Sequence, residues 1–287
     1  MKGKNLLDDN LLCYMKKMGD RKMLKTEMRN EASTHIDKMD TISMLKLIHT
    51  ENANSVRAVE AALEQIATVC DLVAERISRG GRIIYIGAGT SGRLGMMDAA
   101  ECPPTYGVSK DMVVGIIAGG DSCLRSAAEA QEDDPYAGQT DLKKYDLTEN
   151  DIVIGLSASG GAAYVVGALE YANQIGAVTV SLTSNWNTPM EQVAQYNIVT
   201  DTGPEVITGS TRMKSGNAQK MVLNMISTAA MVKTGKVYEN LMINLKPSNQ
   251  KLRNRMIRIV CEIMNCTDEM AENMLAEHNW DIRRIVS

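Results

Sequence analysis

The chain has 287 residues, 44% of them hydrophobic, with a formal net charge of −4, 20 Met, no Phe and an aromatic share of only 4%. That length and apolar content predict one large α/β domain plus a small appendage, with a core of aliphatic side chains and pliable thioethers. The charge balance, without a basic stripe, speaks against nucleic acid as a partner. No apolar run approaches the roughly 20 residues of a membrane helix, and the first residues lack the apolar core of a secretion signal, so a soluble cytoplasmic protein is expected.

Residues 1 to about 24 mix charges without a clear period and read as a loosely docked leader. Over 41–79 the pattern becomes helical, with Val56, Val59, Leu63, Ile66, Val69, Leu72, Val73 and Ile77 at three- and four-residue steps, and Gly80-Gly81 ends it. Strands and helices then alternate: strand 82–86, helix 91–100 halted by Pro103-Pro104, strand 112–118, helix 122–131, strand 151–156 and helix 161–174. Strand 178–182, a short helix over 189–194, strand 197–200 and a long helix over 210–233 complete the series.

Short β-rich runs separated by helices predict a flavodoxin-like, doubly wound α/β domain with a five-stranded parallel sheet, in which ligands sit beyond the carboxyl ends of the strands. Residues 249–287 carry no strand signal and predict a small helical appendage, its first helix built on Leu252, Met256, Ile259 and Val260, its second capped by Thr267, its last packed by Trp280. The expected division is 1–50 for leader and N-terminal helical segment, 51–240 for the sheet domain, and 249–287 for the appendage. The cysteines at 13, 70, 102, 123, 261 and 266 lack zinc-site spacing and read as reduced thiols, and His35, His49 and His278 are isolated, so no metal site is expected.

Two loops carry the chemistry. The run Arg82-Ile-Ile-Tyr-Ile86 empties into Gly87-Ala-Gly89-Thr90-Ser91-Gly92, where glycines allow close backbone approach and helix-start N–H groups and hydroxyls can donate to phosphate oxygens. Ser157-Ala-Ser159-Gly160-Gly161 repeats the logic after a later strand, so two loops could clasp one phosphate from two sides. Gly87-x-Gly89-x-x-Gly92 is also the dinucleotide fingerprint, but the ribose-binding acid expected about 20 residues on is missing. Asp111 stands at the start of the second strand instead of its end, and Asp121 lies too far along.

The strings IGAGTSGRLGMMDAAECPPTYG (86–107), GLSASG (155–160) and GPEVITGSTRMKSGNAQK (203–220), in that order, closely resemble the N-acetylmuramic acid 6-phosphate etherases, sugar isomerase (SIS) domain proteins related to the glucokinase regulatory protein. The likeness runs from Thr26-Glu-Met-Arg-Asn30 to the helical tail. The resemblance implies cleavage of the D-lactyl ether to give N-acetylglucosamine 6-phosphate and D-lactate, without metal or nucleotide cofactor, by a bacterial, cytoplasmic homodimer serving cell-wall sugar recycling. It also implies that the catalytic carboxylates are Glu101, in the AECPP segment, and Glu132, in the AxEDD segment; Glu129, one turn earlier, is the rival that the family register disfavours.

Such chemistry needs two carboxylates in different protonation states. With the sugar ring open, the C1 aldehyde acidifies the C2 hydrogen; a base removes it, lactate leaves from C3 on receiving a proton, and water adds back. Glu132 is expected as the C2 base and Glu101 as the acid. Around the start of the long helix, Glu205, Ser210, Arg212 and Lys214 join Gly89, Thr90, Ser91, Ser157, Ser159 and Gly160 as candidate contacts to a sugar phosphate. One departure stands out: family members continue the second loop as Ser-Gly-Arg-Thr-Pro-Tyr, whereas this chain has Gly161-Ala162-Ala163 before Tyr164, which removes a guanidinium, a hydroxyl and a helix-starting proline. The rival readings are a sugar-phosphate-sensing regulatory protein without catalysis and an aldose-ketose isomerase, which would share the C2 base but need no acid at the C3 oxygen.

Overall fold

A computed structural model describes residues 23–126 and 131–286. The predicted leader up to residue 22, the rival Glu129 and the middle of the predicted helix 122–131 lie outside the described residues. Helix α1 (Thr41–Ala61) is capped by the Asp40 carboxylate, which accepts from the Ser43 N–H. The backbone breaks at Ala62 and resumes as α2 (Leu63–Ser78). The unbroken helix expected over 41–79 is therefore two, and the re-set register has a visible effect: Val59, Ile66, Val69, Val73 and Ile77 are buried, but Val56 is 58% and Leu63 46% exposed.

The β-branched run Ile83–Gly87 forms β1, followed by α3 (Gly89–Tyr106), β2 (Val113–Ile117), α4 (Pro135–Lys143), β3 (Ile152–Leu156) and α5 (Ala163–Ile175). After these come β4 (Val178–Thr183), α6 (Pro189–Val193), β5 (Tyr196–Val199) and α7 (Lys214–Lys233). Among the described residues these strands make one five-stranded, all-parallel sheet in the order β2-β1-β3-β4-β5. That is the doubly wound order expected, with its switch point at β1, between β2 and β3.

Successive β1 side chains serve opposite faces. Ile83 and Tyr85 join a core with α1, α2, α3 and α7, while Ile84 and Ile86 join one with α4 and α5. A hairpin, β6 (Val237–Tyr238) with β7 (Leu241–Met242), was not expected from the sequence. It leads into α8 (Gln250–Met264), α9 (Asp268–Glu277) and α10 (Arg283–Val286), which share their own apolar cluster around Met256, Val260, Leu275 and Ile282. The Thr267 cap on α9 is present, and Trp280 stacks under Arg253 of α8, 4.7 Å from the guanidinium to the ring centre.

Two expectations are corrected. Pro103-Pro104 does not halt α3; the helix runs on to Tyr106 and ends at Gly107, whose left-handed backbone (φ 62°) lets its N–H cap the Pro103 carbonyl. Both prolines lie in the last turn, so the N–H donors they lack, toward the Ala99 and Ala100 carbonyls, are missing only where the helix is about to end at Gly107. Between β2 and β3, the described part of the predicted helix 122–131 is a 3-10 turn, Asp121–Leu124, and the regular crossing helix is α4. Asp134 caps α4 through the Tyr136 and Ala137 N–H groups and Pro135 sits at its first turn, the pattern that marks a helix start in sequence.

Helices α4 and α5 touch backbone to backbone because glycine stands at both contacts. A Cβ on Gly138 would lie 2.0 Å from the Tyr164 carbonyl oxygen, and one on Gly167 2.1 Å from that of Pro135. Gly138→Ala is expected to destabilise the fold by about 1–3 kcal/mol through overpacking. The measurement is urea unfolding: a lower midpoint at unchanged slope is the expected result.

Candidate active site

A cavity of about 250 Å³ opens at the carboxyl ends of β1 and β3, lined by Ala88, Gly89, Thr90 and Ser91 from the first loop and Leu156, Ser157, Ala158 and Ser159 from the second. Glu132, Thr211 and Glu27 complete the wall. The first N–H groups of α3 lack partners within the helix and give this end of the cavity a partial positive charge suited to an anion.

The second loop presets its hydroxyls. Ser157 Oγ accepts from the Gly160 N–H and Ser159 Oγ from the Gly161 N–H, each at 3.2 Å, and the two oxygens lie 3.2 Å apart. With lone pairs engaged by backbone donors, the hydroxyl hydrogens are left to one another and to a ligand. Gly160 makes this turn at φ 72°, pressed so close to Thr188 that a Cβ would lie 2.5 Å from the threonine side chain. The Gly161-Ala162-Ala163 stretch leaves α5 without a side-chain cap at Ala162.

In the first loop Ser91 is buried and donates to Gln219 Oε1 at 2.9 Å, while the buried Gln219 Nε2 has no hydrogen-bond partner among the described residues. In the opposite amide orientation Nε2 donates to Ser91 Oγ and the Ser91 hydroxyl is free to turn its hydrogen to the cavity, while Oε1 takes the unpartnered position.

Glu132 sits in the turn ahead of α4, and its carbonyl accepts from the Tyr164 N–H at 3.0 Å. The α4 cap on one side and the first turn of α5 on the other thus fix the backbone that carries this carboxylate. Glu101 is placed differently. It is exposed on α3, about 15 Å along the axis from Ser91 at 1.5 Å per residue, and does not line this cavity.

The stretch of α3 around Glu101 is firmly anchored. Asp98, buried one turn earlier, accepts from Tyr85 (3.1 Å), Asn224 (2.8 Å) and Ser227 (3.2 Å). Burial raises the Asp98 carboxyl pKa despite those donors, and burial likewise lifts the Tyr85 phenol well above its ordinary range. One turn after Glu101, Tyr106 Oη donates to Thr228 Oγ1 at 3.2 Å.

The expected contacts around α7 divide. Glu205 is fully buried and accepts from the Lys214 and Ser215 N–H groups at 3.0 and 2.9 Å, capping the helix. Lys214, 1% exposed, holds Glu51 and the Pro204 carbonyl, each at 2.6 Å. Burial would raise the Glu51 carboxyl, but the Lys214 ammonium outweighs it and the pKa falls. Neither Glu205 nor Lys214 lines the cavity, and neither do Ser210, the exposed Arg212 or Gly160; Thr211, between Ser210 and Arg212, does. Sequence reasoning placed Thr211 at the start of the long helix without counting it among the contacts, and did not expect Glu27 in the wall. The motif around Thr211 was visible, and Glu27 stands in the Thr26–Asn30 stretch where the family likeness begins, but nothing local marks it as a wall residue.

The chain matches the model of the glucokinase regulatory protein N-terminal SIS domain over residues 65–173 and that of the SIS domain over 136–229. It is 52% identical over 262 residues to an N-acetylmuramic acid 6-phosphate etherase of Clostridium beijerinckii, spanning 91% of this chain and 86% of that protein. To the etherase of the same name from Caldanaerobacter subterraneus it is 50% identical over 260 residues, 91% of this chain and 85% of that one. The chain belongs to the N-acetylmuramic acid 6-phosphate etherase family.

Among solved structures, the etherase-family fold is shared with a candidate phosphosugar isomerase of Bacteroides fragilis involved in capsule formation, at a TM-score of 0.53 and 20% identity over 70% of this chain and 95% of that one. A candidate sugar-phosphate isomerase of Listeria monocytogenes matches at 0.50 and 15% identity, over 68% and 92%. At such identities the likeness concerns the fold alone.

Proposed function

We propose that this chain cleaves the D-lactyl ether of N-acetylmuramic acid 6-phosphate, giving N-acetylglucosamine 6-phosphate and D-lactate. The observation that carries the reading is the cavity itself: hydroxyls of two strand-end loops and a helix N-terminus at one end, and the Glu132 carboxylate in the same wall. Thr90, Ser91, Ser157 and Ser159 hold the phosphate. Glu132 takes the C2 hydrogen of the ring-opened sugar; lactate leaves C3 with a proton from an acid; water then adds at C3 and C2 is reprotonated, so the net change is hydrolysis of one ether.

Glu101 is the proposed acid, and its place on α3 makes it an acid for a second copy of the chain. An apolar groove of about 660 Å³ runs between α2 and α7, lined by Leu63, Ile66, Met221 and Met225 among others. Asn224 and Thr228 line this groove and also hold the α3 residues on either side of Glu101, so Glu101 emerges at its rim. Helix α3 starts at the cavity edge of the sheet and runs back along it. A two-fold axis across the groove and perpendicular to the strands therefore brings the Glu101 end of one copy toward the cavity end of the other. A cytoplasmic homodimer with shared sites, acting in cell-wall sugar recycling, is part of this proposal, as is the division into the SIS domain over 51–240 and flanking segments over 1–50 and 249–287. On this placement Glu205, Ser210, Arg212 and Lys214 shape the wall behind Thr211 and support substrate contact through it.

The experiment is incubation with N-acetylmuramic acid 6-phosphate in deuterated water. Release of D-lactate with deuterium at C2 of the sugar product is the expected outcome. Lactate release without deuterium would reject C2 elimination, and binding without lactate release would favour the regulatory alternative.

A further inference from the structure

Glu27 enters the cavity from a part of the chain that contributes to neither phosphate loop. It stands at the end of a 3-10 turn, Lys25–Glu27, far from the other wall residues in sequence. The strap that carries it is stapled to the second phosphate loop. Asn185 Nδ2 donates to Thr26 Oγ1 and to the Ala158 carbonyl, each at 3.0 Å, while Asn185 Oδ1 accepts from the Thr26 N–H at 3.3 Å. Thr26 and Asn185 are buried at 0% and 3% exposure.

Further along the strap, Lys25 pairs with Asp201 at 2.6 Å, Asn30 donates to the Pro204 carbonyl at 3.3 Å, and Ser33 donates to that of Val206 at 2.8 Å. Gly209 backs the Glu27 carboxylate so closely that a Cβ there would lie 3.3 Å from Oε2. Residues on both sides of Glu27 are thus fixed on the sheet domain. Among the described residues, no ion pair or hydrogen bond engages the Glu27 carboxylate.

A carboxylate facing a phosphate site cannot serve the phosphate, which it repels. It accepts hydrogen bonds, and a sugar offers donors in its hydroxyls and its acetamido N–H. We propose that Glu27 is a positioning residue that accepts a hydrogen bond from the sugar of the bound sugar phosphate, away from the phosphate, and so sets which carbon faces Glu132. This rests on the sugar-phosphate reading of the cavity given above. The carboxylate selects for a hydrogen-bond-donating sugar over a bare anion of the same charge.

The test is calorimetric binding of two probes, N-acetylglucosamine 6-phosphate and inorganic phosphate, to the wild-type protein, Glu27→Ala and Glu27→Gln. Losing a charge-assisted hydrogen bond is expected to weaken sugar-phosphate binding about 10- to 100-fold in Glu27→Ala. Glu27→Gln keeps an acceptor without the charge and is expected to fall between. Inorganic phosphate is expected to bind as well as before or better, because a repelling charge has gone. Wild-type-like sugar-phosphate binding in Glu27→Ala would overturn the assignment, as would equal weakening of both probes, which is the mark of a disturbed strap. A wild-type protein that binds phosphate but not the sugar phosphate would overturn the sugar-phosphate reading first. Unchanged urea midpoints check that both variants fold.

Discussion

Glu132→Ala is expected to lower kcat by about 10²- to 10⁴-fold, the range of a general base, while leaving the affinity for N-acetylglucosamine 6-phosphate within a few-fold. The affinity should survive because the phosphate is held by other groups: the Thr90 and Ser91 end of α3 and the backbone-oriented pair Ser157 and Ser159. The fold should survive as well, since Glu132 contributes its carbonyl to the Tyr164 N–H whichever side chain it carries. Isotope exchange separates the two glutamates. With the product in deuterated water, the Glu132 variant should fail to exchange the C2 hydrogen, whereas Glu101→Ala should still exchange it and yet release no lactate from N-acetylmuramic acid 6-phosphate. The reverse result would exchange the assigned roles. A Glu132→Ala variant with near wild-type turnover would remove the base from the mechanism altogether.

The second large effect concerns Glu101, which is exposed on α3 and outside the cavity of its own chain. Glu101→Ala alone should lose turnover by orders of magnitude, as a missing general acid does. Mixing is more informative. When the Glu101→Ala and Glu132→Ala proteins are unfolded together and refolded as a random mixture, about half of the dimers carry one subunit of each kind. If each site takes Glu132 from one subunit and Glu101 from the other, such a dimer has one complete site and one empty of both carboxylates. Activity of the mixture should then rise from the background of either variant to about a quarter of wild type. A site built within one chain predicts no rise, so a mixture as inactive as its components would end the shared-site proposal. Blocking the groove serves as a cross-check: Met225, 38% exposed on α7, replaced by Glu should leave the chain folded but dissociated.

The alternation of short β-branched runs with helical stretches was legible because the central strands β1 and β3, Ile83–Gly87 and Ile152–Leu156, are buried on both sides and read as continuous apolar segments. The flavodoxin-like reading rested on five strands alternating with helices, and the sheet has that order. The stretch between β2 and β3 was misread because the helical look of 122–131 outweighed the Asp134-Pro135 start signal just after it. The Pro103-Pro104 pair misled for a different reason: the helix carries both prolines through its last turn and stops only at Gly107, so their missing N–H groups cost it little more than its end.

At the site, glycine and serine clusters announced the two cavity-lining loops, since close approach and hydroxyl donors both leave compositional marks. Glu27 left none. It reaches the wall through Asn185, and a contact between residues so distant along the chain has no local signature. Glu205 and Lys214 were read as ligand contacts because charge beside a helix start looks the same from sequence whether it meets a phosphate or the helix itself. In the fold, Glu205 neutralises the N-terminus of α7 and Lys214 is turned inward to Glu51.

If Glu101 is the acid, its outward placement ties chemistry to assembly. If the proposed roles hold, a newly made single chain would have the phosphate cradle and the base, yet no acid within reach. It could hold a sugar phosphate and exchange its C2 hydrogen, but the ether would stay intact until a sister chain arrived. Specific activity would then fall with dilution, and the concentration at which it halves would report how tightly the two chains associate.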